Sequence, residues 1–354
     1  MLPVISRIEL APGYSISRVI AGFWQLAGGH GPVDKKKAFE VMRLFLEGGV
    51  TTFDCADIYT GIEELIGKFL EQNRTQFFSH ELPPVQIHTK YVPDLDALPT
   101  LSRKYTEAVI GRSLRRLRVD RLDLVQFHWW DFNIPGYVET ALHLADIQKA
   151  GKIRLIGTTN FDAFHLKEIL ETGVSLVSNQ VQYSVLDSRP EKDLVELSQK
   201  FGIRLLCYGT VAGGFLSEKF YGKPALDEPL ENRSLIKYRL IIEEFGGFDL
   251  YQELLHILKQ IARRYEVGIA DVAIRYVLQK PMVGGVIIGA RSSHHLSCLL
   301  KLDDFQLDRW DLQQIENILS RAQGPSGPVF GLERDREGAH GRIMKYNLNK
   351  VKVS

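Results

Sequence analysis

The stretch Leu122-Asp123-Leu124-Val125-Gln126-Phe127-His128 is an apolar run of strand length. It is followed by Val138, Ala141, Leu142, Ala145 and Ile147 at helical spacing, and then by a second apolar run, Ile153-Arg154-Leu155-Ile156-Gly157. Strand, helix and strand with no tight turn between the strands read as a βαβ unit, whose strands run parallel. Runs that are apolar along their whole length belong to a sheet covered on both faces.

The unit repeats in both directions. Upstream, Val50-Thr51-Thr52-Phe53 follows the helix stop Gly48-Gly49, ends at Asp54 and leads to a helix from Ile62 to Glu71. Val85 to Lys90 is a strand before a helix from Tyr105 to Leu117. Nearer the N-terminus, Ile20 to Leu26 is a short apolar run closed by Gly28-Gly29, and Asp34 caps a helix burying Ala38, Val41, Met42, Phe45 and Leu46. Downstream, a helix opens at Asp162, Val174 to Gln182 is a strand, and Ser188-Arg189-Pro190-Glu191 reads as a capping box. The strand Ile203 to Tyr208 leads into a long irregular connection from Gly209 to Asp249, a partial lid. Helices from Leu254 to Tyr265 and Ile269 to Leu278, the strand Val283 to Ala290, a short helix near His294 to Leu300 and a helix from Asp308 complete the pattern.

Counted from Gly22 these are eight strands, each followed by helix, and they predict an α/β chain folded as a closed (β/α)8 TIM barrel. An open doubly wound sheet would carry G-x-G-x-x-G after its first strand, and no strand here has it. The chain 1–354 reads as one barrel domain, with an N-terminal β-hairpin around Pro12-Gly13 over 7–20, the barrel over 20–322 and a C-terminal tail over 323–354. That tail begins with glycine and proline, but Val329-Phe330-Gly331-Leu332 and Arg342 to Tyr346 hold too many apolar groups for a solvated end. Part of it is expected to pack on the barrel or on a neighbouring subunit.

Composition excludes several classes of function. Lysine and arginine (44) balance aspartate and glutamate (43), so there is no global field to recruit nucleic acid. No apolar run approaches the ~18–20 residues of a membrane helix, and the first residues lack a secretory pattern. Three cysteines form neither a metal spacing nor a disulfide framework, which points to a reducing, cytoplasmic setting. Nothing in the sequence specifies an oligomeric state.

In a (β/α)8 barrel the active site forms where the strands end. In order, those ends carry Trp24; Asp54 and Tyr59; Lys90; His128; Thr159 and Asn160; Gln180; Tyr208; and Gly289. Tyrosine ionises near ~10 and is a poor acid at neutral pH, but an adjacent ammonium favours its phenolate, and a carboxylate paired with that ammonium fixes it in place. Tyr59, Lys90 and Asp54 supply those three parts, and His128 can hydrogen-bond the same carbonyl oxygen of a substrate. There is no clustered ligand pattern for a metal and no Ser-His-Asp set with a nucleophile elbow. A polarised carbonyl then needs its electron pair from a hydride cofactor.

These motifs resemble the aldo-keto reductase superfamily over nearly the whole chain. Gly22-Phe23-Trp24-Gln25-Leu26, Phe53 to Tyr59, His88-Thr89-Lys90, Leu122 to Trp129, Gly157 to Phe161, Asn179 to Asp187, Tyr208 to Lys219 and Val286 to Ser292 match successive family motifs in order. The resemblance implies a catalytic tetrad of Asp54, Tyr59, Lys90 and His128 with Tyr59 as general acid. It implies that Thr159, in place of the usual serine, with Asn160 and Gln180 holds the nicotinamide carboxamide, and that Tyr208 stacks on the ring. Gly209, Thr210, Val211 and Gly214 would pass under the pyrophosphate, with Ser217 and Lys219 beside them and Gly289 at the last strand's end. Arg291 and Ser292 would meet the 2′-phosphate, favouring NADPH over NADH. Around the adenine the family pattern is broken by His295, Cys298 and Leu299. Trp24, Trp129 and Trp130, with Tyr59 and His128, are the expected substrate pocket.

The expected activity is thus an NADP-dependent reduction of an aldehyde, ketone or sugar, or the reverse oxidation of an alcohol, on a small-molecule substrate. The alternative is a nucleotide-binding, redox-sensing partner protein with little turnover.

Overall fold

Ten strands and a surrounding layer of helices make up the computed structural model, which describes residues 5–28, 34–224, 230 and 232–349. Gly29, Pro229 and residues 350–354 of the tail lie outside these. Strands β1 (Arg7–Ala11) and β2 (Tyr14–Ser17) form an antiparallel hairpin. The other eight close a parallel barrel: β3 (Val19–Gly22), β4 (Thr52–Asp54), β5 (Gln86–Tyr91), β6 (Leu122–Phe127), β7 (Ile153–Thr159), β8 (Leu176–Gln182), β9 (Arg204–Tyr208) and β10 (Val283–Gly289), which pairs back onto β3. The chain is therefore the (β/α)8 barrel that the repeating units predict.

Local chemistry places the helices. Asp34 accepts from the backbone N–H groups of Lys36 and Lys37 and starts the helix Lys35–Glu47, whose Ala38, Val41, Met42, Phe45 and Leu46 are buried against the barrel. Asp162 does the same for the helix Ala163–Glu171 by accepting from the N–H of His165. The helix Ile62–Gln72 lies so close to its neighbour that a side chain at Gly67 would come within 2.2 Å of the Arg116 carbonyl. The hairpin sits under the amino end of the barrel. Leu10, Tyr14 and Ile16 form an apolar cluster with Ile20, Leu124 and Leu206, and Arg7 reaches Thr51, just before β4.

Four local expectations are corrected. Val19 and Ile20 leave the hairpin for β3, because their apolar side chains are wanted in the barrel, where Val19 and Ile20 pair with Val286 and Ile287. Trp24 lies beyond the strand in a short helical turn, Trp24–Leu26. Ser188 caps nothing: the turn Arg189–Glu191 is held by Asp187, which accepts from the Arg189 backbone and guanidinium. The connection after β9 is helical from Arg233 to Phe245, capped by Asn232. Tyr238, Ile241, Ile242 and Phe245 give that helix a buried stripe, which the glycines and prolines before it conceal.

Candidate active site

Asp54 ends β4 on the inside of the barrel mouth, and its two carboxylate oxygens have different partners. Oδ2 accepts from Lys90 Nζ at 2.6 Å, and the ammonium also donates to the Cys55 carbonyl at 3.0 Å. Oδ1 accepts from the side-chain amides of Gln126 at 3.0 Å and Gln180 at 2.7 Å. The Asp54 and Lys90 side chains are only 5% and 6% exposed, so this is a buried ion pair whose remaining acceptor capacity is also used. Tyr59 stands above it, its ring centroid 5.0 Å from Lys90 Nζ and 4.9 Å from the ring of Trp24.

His128 follows β6 directly. Its Nδ1 lies 3.2 Å from the Thr159 carbonyl oxygen, while Nε2 is buried without a partner. A carbonyl oxygen only accepts, so Nδ1 carries the proton of the neutral ring and Nε2 presents a lone pair. This differs from the expectation for His128: in this tautomer Nε2 is free to accept a hydrogen bond and has none to give a carbonyl oxygen.

The electrostatics sharpen the picture. Burial pulls the His128 pKa down to about 3, with the charges of Arg334 and Lys90 acting the same way against the Thr159 contact. Burial also pulls on Lys90, but Asp54 and Tyr59 outweigh it and its pKa rises. For Tyr59 burial is the largest influence and raises the pKa, with Lys90 opposing it. The lysine was expected to bring a net lowering; in the dry mouth it offsets only part of the desolvation.

Round the mouth, the ends of β7 to β10 carry the second group of residues. Thr159 donates its hydroxyl to the Gln180 carbonyl at 3.2 Å, and Asn160 has a left-handed backbone (φ 63°) and accepts from the Tyr208 hydroxyl at 2.9 Å. Gln180 points inward, its side-chain nitrogen shared between Asp54 and Gln126, which leaves its oxygen for a ligand. After Tyr208, Gly209 and Gly213 have positive φ and lie under Tyr238, whose hydroxyl oxygen and ring stand 2.5 Å and 2.8 Å, respectively, from where a Cβ would be. Thr210 Oγ1 is buried and unpartnered, and Ser217 donates to the Gly214 carbonyl at 2.6 Å. Val211 is half-buried and Lys219 exposed. Beyond Gly289, Arg291 is half-buried, and Ser292 and His295 are exposed.

The three tryptophans separate. Trp24 flanks Tyr59, and Trp130 meets His128 edge-on at 4.4 Å. Trp129 is fully buried and points away, its indole N–H donating to the carbonyls of Asp131 and Ile134. It is packing under the mouth and not pocket wall, because the chain turns its side chain outward from its neighbour's.

Residues from far along the chain complete the site. The tail runs across the mouth: Phe330 meets the His128 ring at 5.4 Å, and Arg334 donates to the carbonyls of Trp129 and Asn160. Glu333 is buried beside Lys237 (3.2 Å) and Arg189 (3.5 Å), and the Lys237 ammonium lies 5.1 Å from the Tyr208 ring. Asn349 reaches Asp57 and the backbone N–H of Asn349 donates to Asp94. Gln126 was legible as an inward position two residues before His128; Lys237 and the tail residues carried no local signal.

Among the described residues there is no group of His, Cys, Asp and Glu that could hold a metal ion, and no helix long and apolar enough to cross a membrane.

A barrel with this set of residues at its carboxyl edge has known relatives. The sequence matches the profile of the Aldo/keto reductase family over residues 18–320, and the chain belongs to that family. It is 28% identical to the aldo-keto reductase YhdN of Bacillus subtilis over 335 residues, covering 92% of this chain and 97% of that one. It is 29% identical to the chloroplastic pyridoxal reductase of Arabidopsis thaliana over 329 residues, 88% of this chain and 85% of the relative. Among solved structures it is similar to the thermostable aldo-keto reductase Tm1743 (TM-score 0.68, 26% identity, 88% of this chain and 99% of the other). The glycerol dehydrogenase AKR11B4 of Gluconobacter oxydans shares the fold, with a TM-score of 0.73 at 23% identity, over 91% of this chain and 98% of that one. The chain is therefore an oxidoreductase of a family that reduces carbonyl groups with a nicotinamide cofactor.

Its residues fit such a cofactor. Tyr208 offers an aromatic ring, the Thr210 hydroxyl is buried without a partner, and the Gly209–Gly214 turn beside them takes the positive-φ backbone that glycines allow.

Proposed function

We propose that the chain reduces the carbonyl of a small aldehyde, ketone or sugar, or oxidises the corresponding alcohol, using NADP(H). The observation that carries the reading is the buried 2.6 Å pair of Asp54 and Lys90 beneath Tyr59. The nicotinamide, when bound, supplies or takes the hydride. Tyr59 delivers a proton to the carbonyl oxygen, and the Lys90 ammonium stabilises the phenolate left behind. Asp54 holds Lys90 charged and in place. His128 Nε2 accepts the hydroxyl of the alcohol form, which orients it without competing for the Tyr59 proton.

Thr159, Asn160 and the oxygen of Gln180 would hold the carboxamide, and Tyr208 the ring face. Gly209, Thr210, Val211, Gly214, Ser217 and Lys219 would line the pyrophosphate, with Gly289 beside the cofactor at the end of β10. Arg291 and Ser292 would meet the 2′-phosphate, with His295 beyond them; a guanidinium suits a phosphate, which supports NADPH over NADH. Trp24 and Trp130 would hold the substrate. The cysteines are free, Cys55 and Cys207 buried and Cys298 exposed, in keeping with a reducing cytoplasm.

The test is cofactor oxidation with NADPH and with NADH over a panel of aldehydes, ketones, quinones and aldoses. Turnover with NADPH is expected. Tight cofactor retention with negligible turnover over the whole panel would overturn the enzyme reading in favour of a redox-sensing binding protein.

A further inference from the structure

We propose that Arg334, from the segment that follows the barrel, is a positioning residue that fixes the orientation of His128. Its place in catalysis rests on the reductase reading; the geometry does not.

The β6–β7 ladder ends at the pair Phe127 and Thr158. The next residues of the two strands carry the chemistry: His128, and Thr159, whose carbonyl holds His128 Nδ1 at 3.2 Å. The residues after those, Trp129 and Asn160, lie beyond the ladder. Arg334 Nη2 donates to both of their carbonyls, at 3.1 Å and 2.8 Å, and Nη1 donates to Val329 at 3.4 Å. One guanidinium thus ties together the two segments whose spacing sets the His128 contact. It also fixes the carbonyl of Asn160, which sits in a left-handed conformation uncommon outside glycine.

The guanidinium is itself held firmly. It lies 4.2 Å from the ring centroid of Phe132 and 5.3 Å from that of Phe330, and Phe330 also touches the His128 ring. No carboxylate forms an ion pair with it among the described residues. Burial brings its pKa down to about 10, so it remains charged at neutral pH. Asp162, Glu333 and Asp131 attract this half-buried charge from beyond ion-pair distance, and its hydrogen bonds go to backbone carbonyls beside the catalytic histidine. The charged groups facing His128 are Lys90 from β5 and Arg334 from the tail; the rings of Trp130 and Phe330 stand perpendicular to its own. Both charges disfavour a second proton on the ring. The family profile ends at residue 320, so this contribution comes from outside the part of the chain it describes.

The experiment uses the full chain with Arg334→Met, which keeps much of the length and removes the fork and the charge, and Arg334→Lys, which keeps only the charge. The primary readout is the tautomer and titration of His128 by imidazole 15N NMR, assigned by comparison with His128→Asn. In the unaltered chain His128 is expected to hold the Nδ1–H tautomer and not to titrate down to pH ~5. In Arg334→Met the ring should populate the other tautomer or titrate at higher pH, and kcat should fall about tenfold or more with a smaller change in KM. Arg334→Lys should restore the titration and only part of kcat, because the shorter lysine side chain cannot place its nitrogen where Nη2 meets both carbonyls and loses the Nη1 contact to Val329. An unchanged His128 tautomer and titration in a folded Arg334→Met overturns the proposal. Should that variant not fold, Arg334→Lys decides: wild-type tautomer and wild-type kcat together overturn it. The NMR readout stands whether or not any carbonyl is turned over, so its failure is distinguishable from failure of the reductase reading.

Discussion

Gln180, on β8, donates from its side-chain amide to Oδ1 of Asp54 on β4, 2.7 Å away and four strands round the barrel. With Lys90 from β5 and Gln126 from β6, that makes Asp54 the point where four of the eight strands meet. A carboxylate so enclosed has little freedom to move, and the ammonium it holds inherits that rigidity.

Replacing Asp54 by Asn keeps an oxygen for the two glutamine amides and removes the charge. Lys90 is then a buried cation facing one carbonyl, and breaking a pair of this kind costs roughly 3–5 kcal/mol. A clear fall in the thermal midpoint is expected, together with loss of turnover. A variant as stable as the parent would show that Lys90 is solvated or neutral in the folded protein.

Tyr59→Phe removes the proposed proton donor and keeps the ring against Trp24. Carbonyl reduction should fall by about 10²–10⁴-fold, while NADPH binding, followed by fluorescence titration, should stay within a few-fold. Reduction at the parental rate would remove Tyr59 as the acid.

The pH profile follows from two shifts. His128 is held neutral to about 3, so kcat/KM should show no inflection near histidine's ordinary ~6.5. The proposed reduction needs Tyr59 protonated and its pKa is raised, so the alkaline limb should lie above the ordinary ~10 of tyrosine. A descending limb near neutrality, measured with saturating cofactor, would contradict the dry environment of the phenol.

His88 offers a stability test apart from the chemistry. It is fully buried, neither ring nitrogen has a partner, and burial lowers its pKa to about 4. The unfolded chain binds that proton below about 6.5 and the folded chain does not, so its contribution is complete above 6.5 and is lost as pH falls towards 4. Asp57, raised to about 7 by burial and by Glu63, acts in the opposite sense over the same range. The clean measurement is therefore the difference between His88→Phe and the parent. The variant should gain up to ~1.4 kcal/mol per pH unit relative to the parent over that window, and a pH-independent difference would mean that His88 can titrate in the folded state.

Arg291→Ala should weaken NADPH by about tenfold or more, on the order of 1.4 kcal/mol, and NADH much less. Equal weakening of both, by direct titration, would take the 2′-phosphate away from Arg291.

The barrel was legible because each of its units is written locally: an apolar strand, a stop, and a helix with a buried stripe. The position of Asp54, Lys90 and His128 at strand ends followed from that, since the chain itself marks where a strand stops. Two kinds of information were not local. The direction of a side chain just past a strand depends on the turn it enters, which is why Trp129 and Trp130 could not be told apart and only Trp130 meets His128. The contacts of Phe330, Glu333 and Arg334 depend on a segment without periodicity reaching back to residues near 130, 160 and 189. Its apolar content implied packing, but nothing in it named the surface. The helix Arg233–Phe245 was hidden for a different reason, because glycines and prolines just before it drew the irregular stretch too far.

The two ends of the described chain leave the barrel from opposite poles. The hairpin β1–β2 stoppers the floor, whereas Asn349 is fastened at the rim beside Asp57 and Asp94. An affinity tag or fluorescent partner joined ahead of the hairpin would thus hang below the barrel, clear of the mouth. The same tag joined at the other end would be tethered at the entrance, pulling on the strap that carries Phe330 and Arg334. Preparations that differ only in which end bears the tag are then not equivalent reagents, and any comparison of their rates measures the strap as well as the enzyme.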